Sequence, residues 1–338
     1  MKRIFVLLLA VIFSGTTIHC SRSRNGQGIH FDEALEKKLT LNPSFPAGDV
    51  RRYGIFPEKS GMSGAVKITK IDSVLKLASS GLELYFPPGY YNRYILIEKA
   101  QNMSLRFDNV QLGSALLIRS SENIRIKGKL TSYNTVEIKN ARNILLDSIL
   151  IINNPERHSG RRASAGMQIL EASENVHIKF LYTEGLGSGK SYRYTHAALK
   201  IYGYPKLPQQ IEISKAHIKN ASVHGAIIMG DGIQMDTLIV EGYALHPNPY
   251  LVKLSNVKQT PGNYYAVWFQ KNTGSEYGLV DVPEIKAKAI RLGPGNIYRP
   301  TVIHYLKLPR ANEVDALIDD DLKTNIVVRN LIFYPSDE

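Results

Sequence analysis

A hydrophobic strand opening on an Asn recurs along this chain at intervals near twenty residues. That repeat limits the possible folds more than any other feature. It reads Asn102-Met-Ser-Leu, Asn123-Ile-Arg-Ile, Asn143-Ile-Leu-Leu and Asn175-Val-His-Ile, then Gln210-Ile-Glu-Ile, with Asn325-Ile-Val-Val near the end. A second short strand precedes each turn, as in "ALLIRSSEN", "TVEIKNARN" and "GMQILEASEN". Such a period of short β-rich strands marks a solenoid. Leucine-rich repeats have a similar length but need a fixed Leu ladder and helical arcs, which this sequence lacks. Apolar pairs such as Ile124/Ile126 and Ile144/Leu146 fit coils of parallel strands stacked about 4.8 Å apart. One coil cannot bury its apolar face, whereas a stack can. Asn suits the turn because it tolerates left-handed dihedrals, and its amide can bond to the Asn one coil away. The expected fold is all-β: a right-handed single-stranded parallel β-helix over residues 61–338.

The first coil of a solenoid exposes an edge that must be hidden. In "AVKITKIDSVLKLA", residues 65–78, Ile68, Ile71, Leu75 and Ala78 share one helical face. A capping helix is expected at about 65–80, ended by Ser79-Ser80-Gly81 and followed by the strand and Pro-Gly turn of "LELYFPPGYY". Residues 20–60 are polar and broken by Gly and Pro, which reads as a tether and irregular arm. Between 256 and 300, strands such as "YYAVWFQ" and "AKAIRL" are visible, but the coil register is not.

Residues 1–19 carry Lys2-Arg3, then "IFVLLLAVIF", then small polar residues, the pattern of a signal peptide. Cys20, the only cysteine, stands where bacterial lipoproteins are acylated. The stretch resembles a lipobox, with Thr17 and His19 departing from it. A lipid-anchored protein of the periplasm or outer membrane is expected. The alternatives are ordinary secretion or a retained anchor. One cysteine excludes a disulfide framework, and no apolar run in the body is long enough to span a bilayer. Any membrane contact would then run through the lipid alone.

The formal net charge is +12, and removing residues 1–19 takes away Lys2 and Arg3, leaving about +10. A basic exported protein suits a polyanion such as an acidic polysaccharide. Excess Lys also simply aids solubility. No nucleic-acid recognition motif is present, and a monomer is expected.

The helix, the "YFPPGYY" segment and the Asn-turn coils together resemble the right-handed parallel β-helix superfamily of pectate lyases and polygalacturonases, over roughly residues 60–335. That scaffold hosts lyases, hydrolases, epimerases, adhesins and tailspikes, so chemistry has to be argued from the residues. "HGAIIMG", residues 224–230, is similar to the His-Gly-Ile-Ser-Ile-Gly stretch of polygalacturonases, and the resemblance implies that His224 faces the groove. The carboxylates of that family do not carry over. Their places read Ala165-Gly166 before Met167 and His196-Ala197-Ala198 before Leu199. Glycoside hydrolysis normally needs two carboxylates, so an orthodox hydrolase is disfavoured. Glu184 and Asp231 are the nearest acids, and Asp231 in "GDG" reads as a turn residue.

Insertions between equivalent strands of a stack emerge on one side. "NNPERHSGRRASA", residues 153–165, and "EGLGSGKSYRYTHA", residues 184–197, are expected to be neighbours, with "NASVHGA" and "GYALHPNPY" beside them. Tyr faces stack on sugar rings and Arg pairs bidentately with carboxylate or sulfate. Candidate binding residues are His158, Arg161, Arg162, Tyr192, Tyr194 and His246. β-Elimination on a uronate needs its carboxylate neutralised and the neighbouring proton abstracted. Lys190 or His196 is the candidate base, Arg193 and Arg162 the neutralising cations, Tyr192 or Tyr194 a platform or acid, and His224 a further catalytic candidate. No cofactor is expected. No acidic cluster in the central coils suggests a metal, and Asp319-Asp320-Asp321 reads as a solvated turn. The expected function is metal-independent polysaccharide lysis. The alternatives are a non-catalytic polysaccharide binder and a structural envelope lipoprotein.

Overall fold

The computed structural model describes residues 32–39, 41–58, 69–154, 156–157, 164–185, 197–245, 264–293, 299–310, 318–319 and 326–335. Two helices, α1 (Glu33–Glu36) and α2 (Thr69–Ala78), precede the strands. The first strands are β1 (Leu84–Phe86), β2 (Gly89–Tyr91), β3 (Ile95–Glu98), β4 (Gln101–Leu112), β5 (Leu116–Arg119), β6 (Glu122–Ser132), β7 (Val136–Lys139) and β8 (Arg142–Ile152). Then follow β9 (Met167–Leu170), β10 (Glu174–Glu184), β11 (Ala197–Tyr202), β12 (Gln209–Lys219), β13 (His224–Asp231) and β14 (Gln234–Glu241). The last are β15 (Tyr265–Thr273), β16 (Glu276–Asp281), β17 (Lys288–Leu292), β18 (Thr301–Leu308), β19 (Ile318–Asp319) and β20 (Ile326–Phe333).

From β3 onward each strand pairs in parallel with the strand two places later. Odd-numbered strands therefore stack in one ladder and even-numbered strands in another. Only a coiled chain does this, so the fold is the expected parallel β-helix. The crossover rule for parallel strands gives it the right-handed sense. The coils also continue through β15 to β20, including residues 256–300, where no register was readable from the sequence.

The core lies between the ladders. Ile97, Ile118, Ile138, Ile169, Ile201 and Ile228 pair in register from coil to coil, and each is at most 1% exposed. Each contributes roughly 1.5–3 kcal/mol of burial, which only the coil above and the coil below make possible.

The turns entering the long strands follow the Asn rule. Asn102, Asn123, Asn143, Asn175 and Gln210 all have φ between 52° and 57°. Asn123 Nδ2 donates to Asn102 Oδ1 at 2.8 Å, Asn143 Nδ2 to Asn123 Oδ1 at 2.8 Å, and Asn175 Nδ2 to Asn143 Oδ1 at 2.7 Å. A second left-handed ladder closes the short strands, with φ of 53° at Lys99, 49° at Ser120, 51° at Asn140 and 50° at Glu171. Lys, Ser and Glu at these positions hide this ladder from the sequence. Backbone bonds to the next coil hold it, such as Lys99 N–H to Arg119 O at 3.0 Å and Ser120 N–H to Lys139 O at 3.0 Å.

At the first coil, α2 buries Ile71, Val74, Leu75, Leu77 and Ala78, each at most 4% exposed. The helix occupies part of the expected span, and Ile68 lies outside the described residues. Residues 41–58 fall within the stretch read as tether and arm, and they are packed. Val50, Tyr53 and Ile55 are at most 3% exposed, and Asp49 bridges to Tyr85 of β1. The Tyr53 hydroxyl donates to Glu36 Oε1 at 3.0 Å, tying α1 to this segment. No helix among the described residues is long and apolar enough to cross a membrane. The signal-peptide stretch and Cys20 lie outside the described residues.

Candidate functional site

The two edges of the coil stack differ. Links from odd to even strands are short where the Asn ladder lies, as at 99–100, 120–121 and 140–141. Links from even to odd strands carry the long insertions at 153–166, 185–196 and 242–264. The strands that bracket these insertions pair in register. Both basic insertions therefore leave and rejoin the stack at one edge, as the repeat required.

Most expected site residues lie outside the described residues: His158, Arg161, Arg162, Lys190, Tyr192, Arg193, Tyr194, His196 and His246. His224 is described. It opens β13 at the loop-bearing edge and is 6% exposed. A Cβ on Gly225 would lie 2.4 Å from Val240, a core residue, and Ala226 also belongs to the core. The chain thus turns core-facing at both positions after His224, which leaves the imidazole outside the core.

An aromatic cluster surrounds that imidazole. Tyr265 stacks on it with ring centres 5.6 Å apart and planes at 9°, Tyr264 meets it edge-on at 5.7 Å, and Trp268 lies at 5.6 Å. The Arg291 guanidinium sits 4.7 Å from the Trp268 ring centre and 5.3 Å from that of Tyr265. Register explains the meeting: Ile227 pairs Trp268, and Trp268 pairs Arg291. Sequence reasoning missed Tyr265, Trp268 and Arg291 because the register there was unreadable. The aromatic run "YYAVWFQ" was the visible signal.

The hydrogen bond from Tyr265 N–H to His224 Nδ1, 3.0 Å, fixes the tautomer. Nδ1 is the acceptor, so Nε2 carries the proton. Protonating Nδ1 would set two donors against each other. His224 is thus suited to binding an oxygen rather than to removing a proton.

One coil before His224, Lys200 of β11 pairs with Gln168 on one side and Ile227 on the other. Its ammonium lies 4.7 Å from the Tyr202 ring centre and meets no carboxylate among the described residues. Burial holds this lysine below the usual lysine range.

Among the described acids at this edge, Glu184 and Glu241 are bonded, whereas Glu58, bridged to Tyr90, is pushed up by burial. Glu184, ending β10, accepts the Tyr182 hydroxyl at 2.7 Å. That bond joins burial in raising the tyrosine. Glu241, ending β14, pairs with His217 Nε2 at 3.0 Å and Lys219 at 3.8 Å. Asp231 stands at the opposite end of β13 from His224, seven strand steps or about 23 Å away, and pairs there with Arg299 at 2.8 Å. It is a turn residue of the far edge. Among the described residues no group of three or more His, Cys, Asp or Glu is placed to hold a metal ion.

Toward the first coils the same edge holds a second cluster. Arg157 is described within the first insertion, and its carbonyl accepts the Tyr90 hydroxyl at 2.9 Å. Its guanidinium bonds Gln111, donates to the Tyr133 hydroxyl at 3.3 Å and lies 5.7 Å from that ring's centre. Nearly four coils separate Tyr133 from Tyr265, or about 19 Å, and both basic insertions arise between them. Fold and edge together define a parallel β-helix with an aromatic and cationic face. No protein-family model matches the chain, and neither a curated protein nor a solved structure matches it.

Proposed function

We propose that this chain is an exported carbohydrate-active β-helix protein of the pectate-lyase-like kind, cleaving an acidic polysaccharide by metal-independent β-elimination. The observation that carries the reading is Arg291 stacked on Trp268 and Tyr265 beside His224, on the edge from which both basic insertions arise. Flat rings offer sugar platforms, and the guanidinium and imidazole N–H offer donors to a carboxylate. A net charge of about +10 without residues 1–19 favours a polyanionic ligand. Glu184 and Glu241 there are engaged in bonds, which speaks against these two as a hydrolytic carboxylate pair. The test is incubation with a panel of uronate polymers while following absorbance of the unsaturated product. No product from any of them ends the reading.

One observation favours a second reading, a non-catalytic binder: the fixed tautomer makes His224 a donor. Retention on a glycan array without turnover selects this alternative. Lipid anchoring through Cys20, in the periplasm or outer membrane, belongs to the same proposal. Metabolic labelling with a fatty acid, absent in Cys20→Ala, tests it.

A further inference from the structure

Lys200 of β11 is only partly exposed. It lies on the outer face of the short-strand ladder, next to the strand that carries His224. Its neighbours in register are the amide of Gln168 and the apolar Ile227, which is 4% exposed. Met229, further along the same strand, is 3% exposed. By contrast, Lys139 of β7, in the same ladder, pairs with Glu171 at 2.8 Å. Lys200 has only the Tyr202 ring at 4.7 Å and no carboxylate among the described residues. The second basic insertion, 185–196, leads directly into its strand.

We infer that Lys200 is the base that removes the proton beside the uronate carboxylate, while Arg291 and His224 bind that carboxylate. The inference rests on the lyase reading. Three coils, about 14 Å between backbones, separate Lys200 from Arg291. Two long side chains and one bound saccharide fill that gap. Burial holds the amine below the ordinary lysine range, which raises its neutral fraction at neutral pH. The neutral amine takes the C5 proton. The C5–H electron pair becomes the C4=C5 double bond, and the C4–O bond breaks. The lysine ammonium then returns its proton to the departing oxygen, so the step needs no co-reactant. The sequence missed Lys200 because it sits inside a strand, whereas Lys190 and His196 sit on the insertion beside it.

The test uses the full chain and two variants, Lys200→Met and Lys200→Arg, checked for folding by thermal melts. Unsaturated-product formation is measured on uronate polymers, and retention on the same polymers immobilised. Loss of Lys200 is expected to lower kcat about 10²–10⁴-fold while retention changes little. Lys200→Arg is expected to move the acidic, rising limb of the rate profile upward in pH. Reductive ¹³C-methylation gives a second readout, an NMR titration of the lysines in which the Lys200 signal, assigned by its loss in Lys200→Arg, moves below the other lysines. Turnover undiminished in Lys200→Met, or a Lys200 signal titrating with the bulk lysines, overturns the inference and leaves the lyase reading standing. No product from the unsubstituted protein on any uronate polymer brings down both.

Discussion

Replacing Asn123 by Ala breaks two rungs of the amide ladder at once. Its Nδ2 donates to Asn102 Oδ1 and its Oδ1 accepts from Asn143 Nδ2, each at 2.8 Å. A net hydrogen bond contributes about 0.5–1.5 kcal/mol, and both rungs are solvent-exposed, so the pair is worth about 1 kcal/mol. The backbone adds a second cost. Asn123 has φ 57°, where a Cβ without a local side-chain bond costs roughly 1 kcal/mol or more. Asn123→Ala should therefore lose about 2 kcal/mol, and Asn123→Gly, which relaxes the backbone but not the ladder, about half of that. Asn123→Asp keeps the acceptor for Asn143 and should fall between Gly and the unsubstituted protein. Urea unfolding followed by circular dichroism measures this, with the midpoint moving and the slope constant. A loss below about 0.5 kcal/mol for Ala would refute the claim that these turns hold the coils together.

Four further outcomes are expected. Arg291→Ala should weaken retention on immobilised polyuronate roughly tenfold, with the difference shrinking in high salt. Trp268→Ala should weaken it without altering the salt dependence. Leu77→Ala, at a side chain 0% exposed beneath the capping helix, should cost about 2–5 kcal/mol in denaturant unfolding. Burial pushes the Asp49 carboxyl up, but hydrogen bonds and charge from Arg51 outweigh it and hold the group below the usual carboxylate range. A depressed folded value stabilises above the unfolded value near 3.9 and loses that contribution as pH falls. Asp49→Asn should flatten the fall in melting temperature below about pH 4, and an unchanged acid limb would refute the assignment.

The repeat was legible because its causes are local. Asn at a left-handed turn and alternating Ile or Leu state their roles within five residues, and α2 announced itself by apolar spacing. The second left-handed ladder was not legible. Lys99, Ser120 and Glu171 have no preference for that conformation, and bonds to the next coil impose it. The packing of residues 41–58 was also hidden. Val50, Tyr53 and Ile55 lie among Gly, Pro and charged residues, and their partners belong to the first coil.

The sequence by itself determined a coiled stack, its capping helix and the edge from which the basic insertions leave. All of these follow from short-range periodicity. Only the tertiary structure brought His224, Tyr265, Trp268 and Arg291 together and set Lys200 between Gln168 and Ile227 with no acid paired to it among the described residues. Such contacts join residues tens of positions apart. They depend on insertion lengths that fix which residue of one coil lies above which residue of the next.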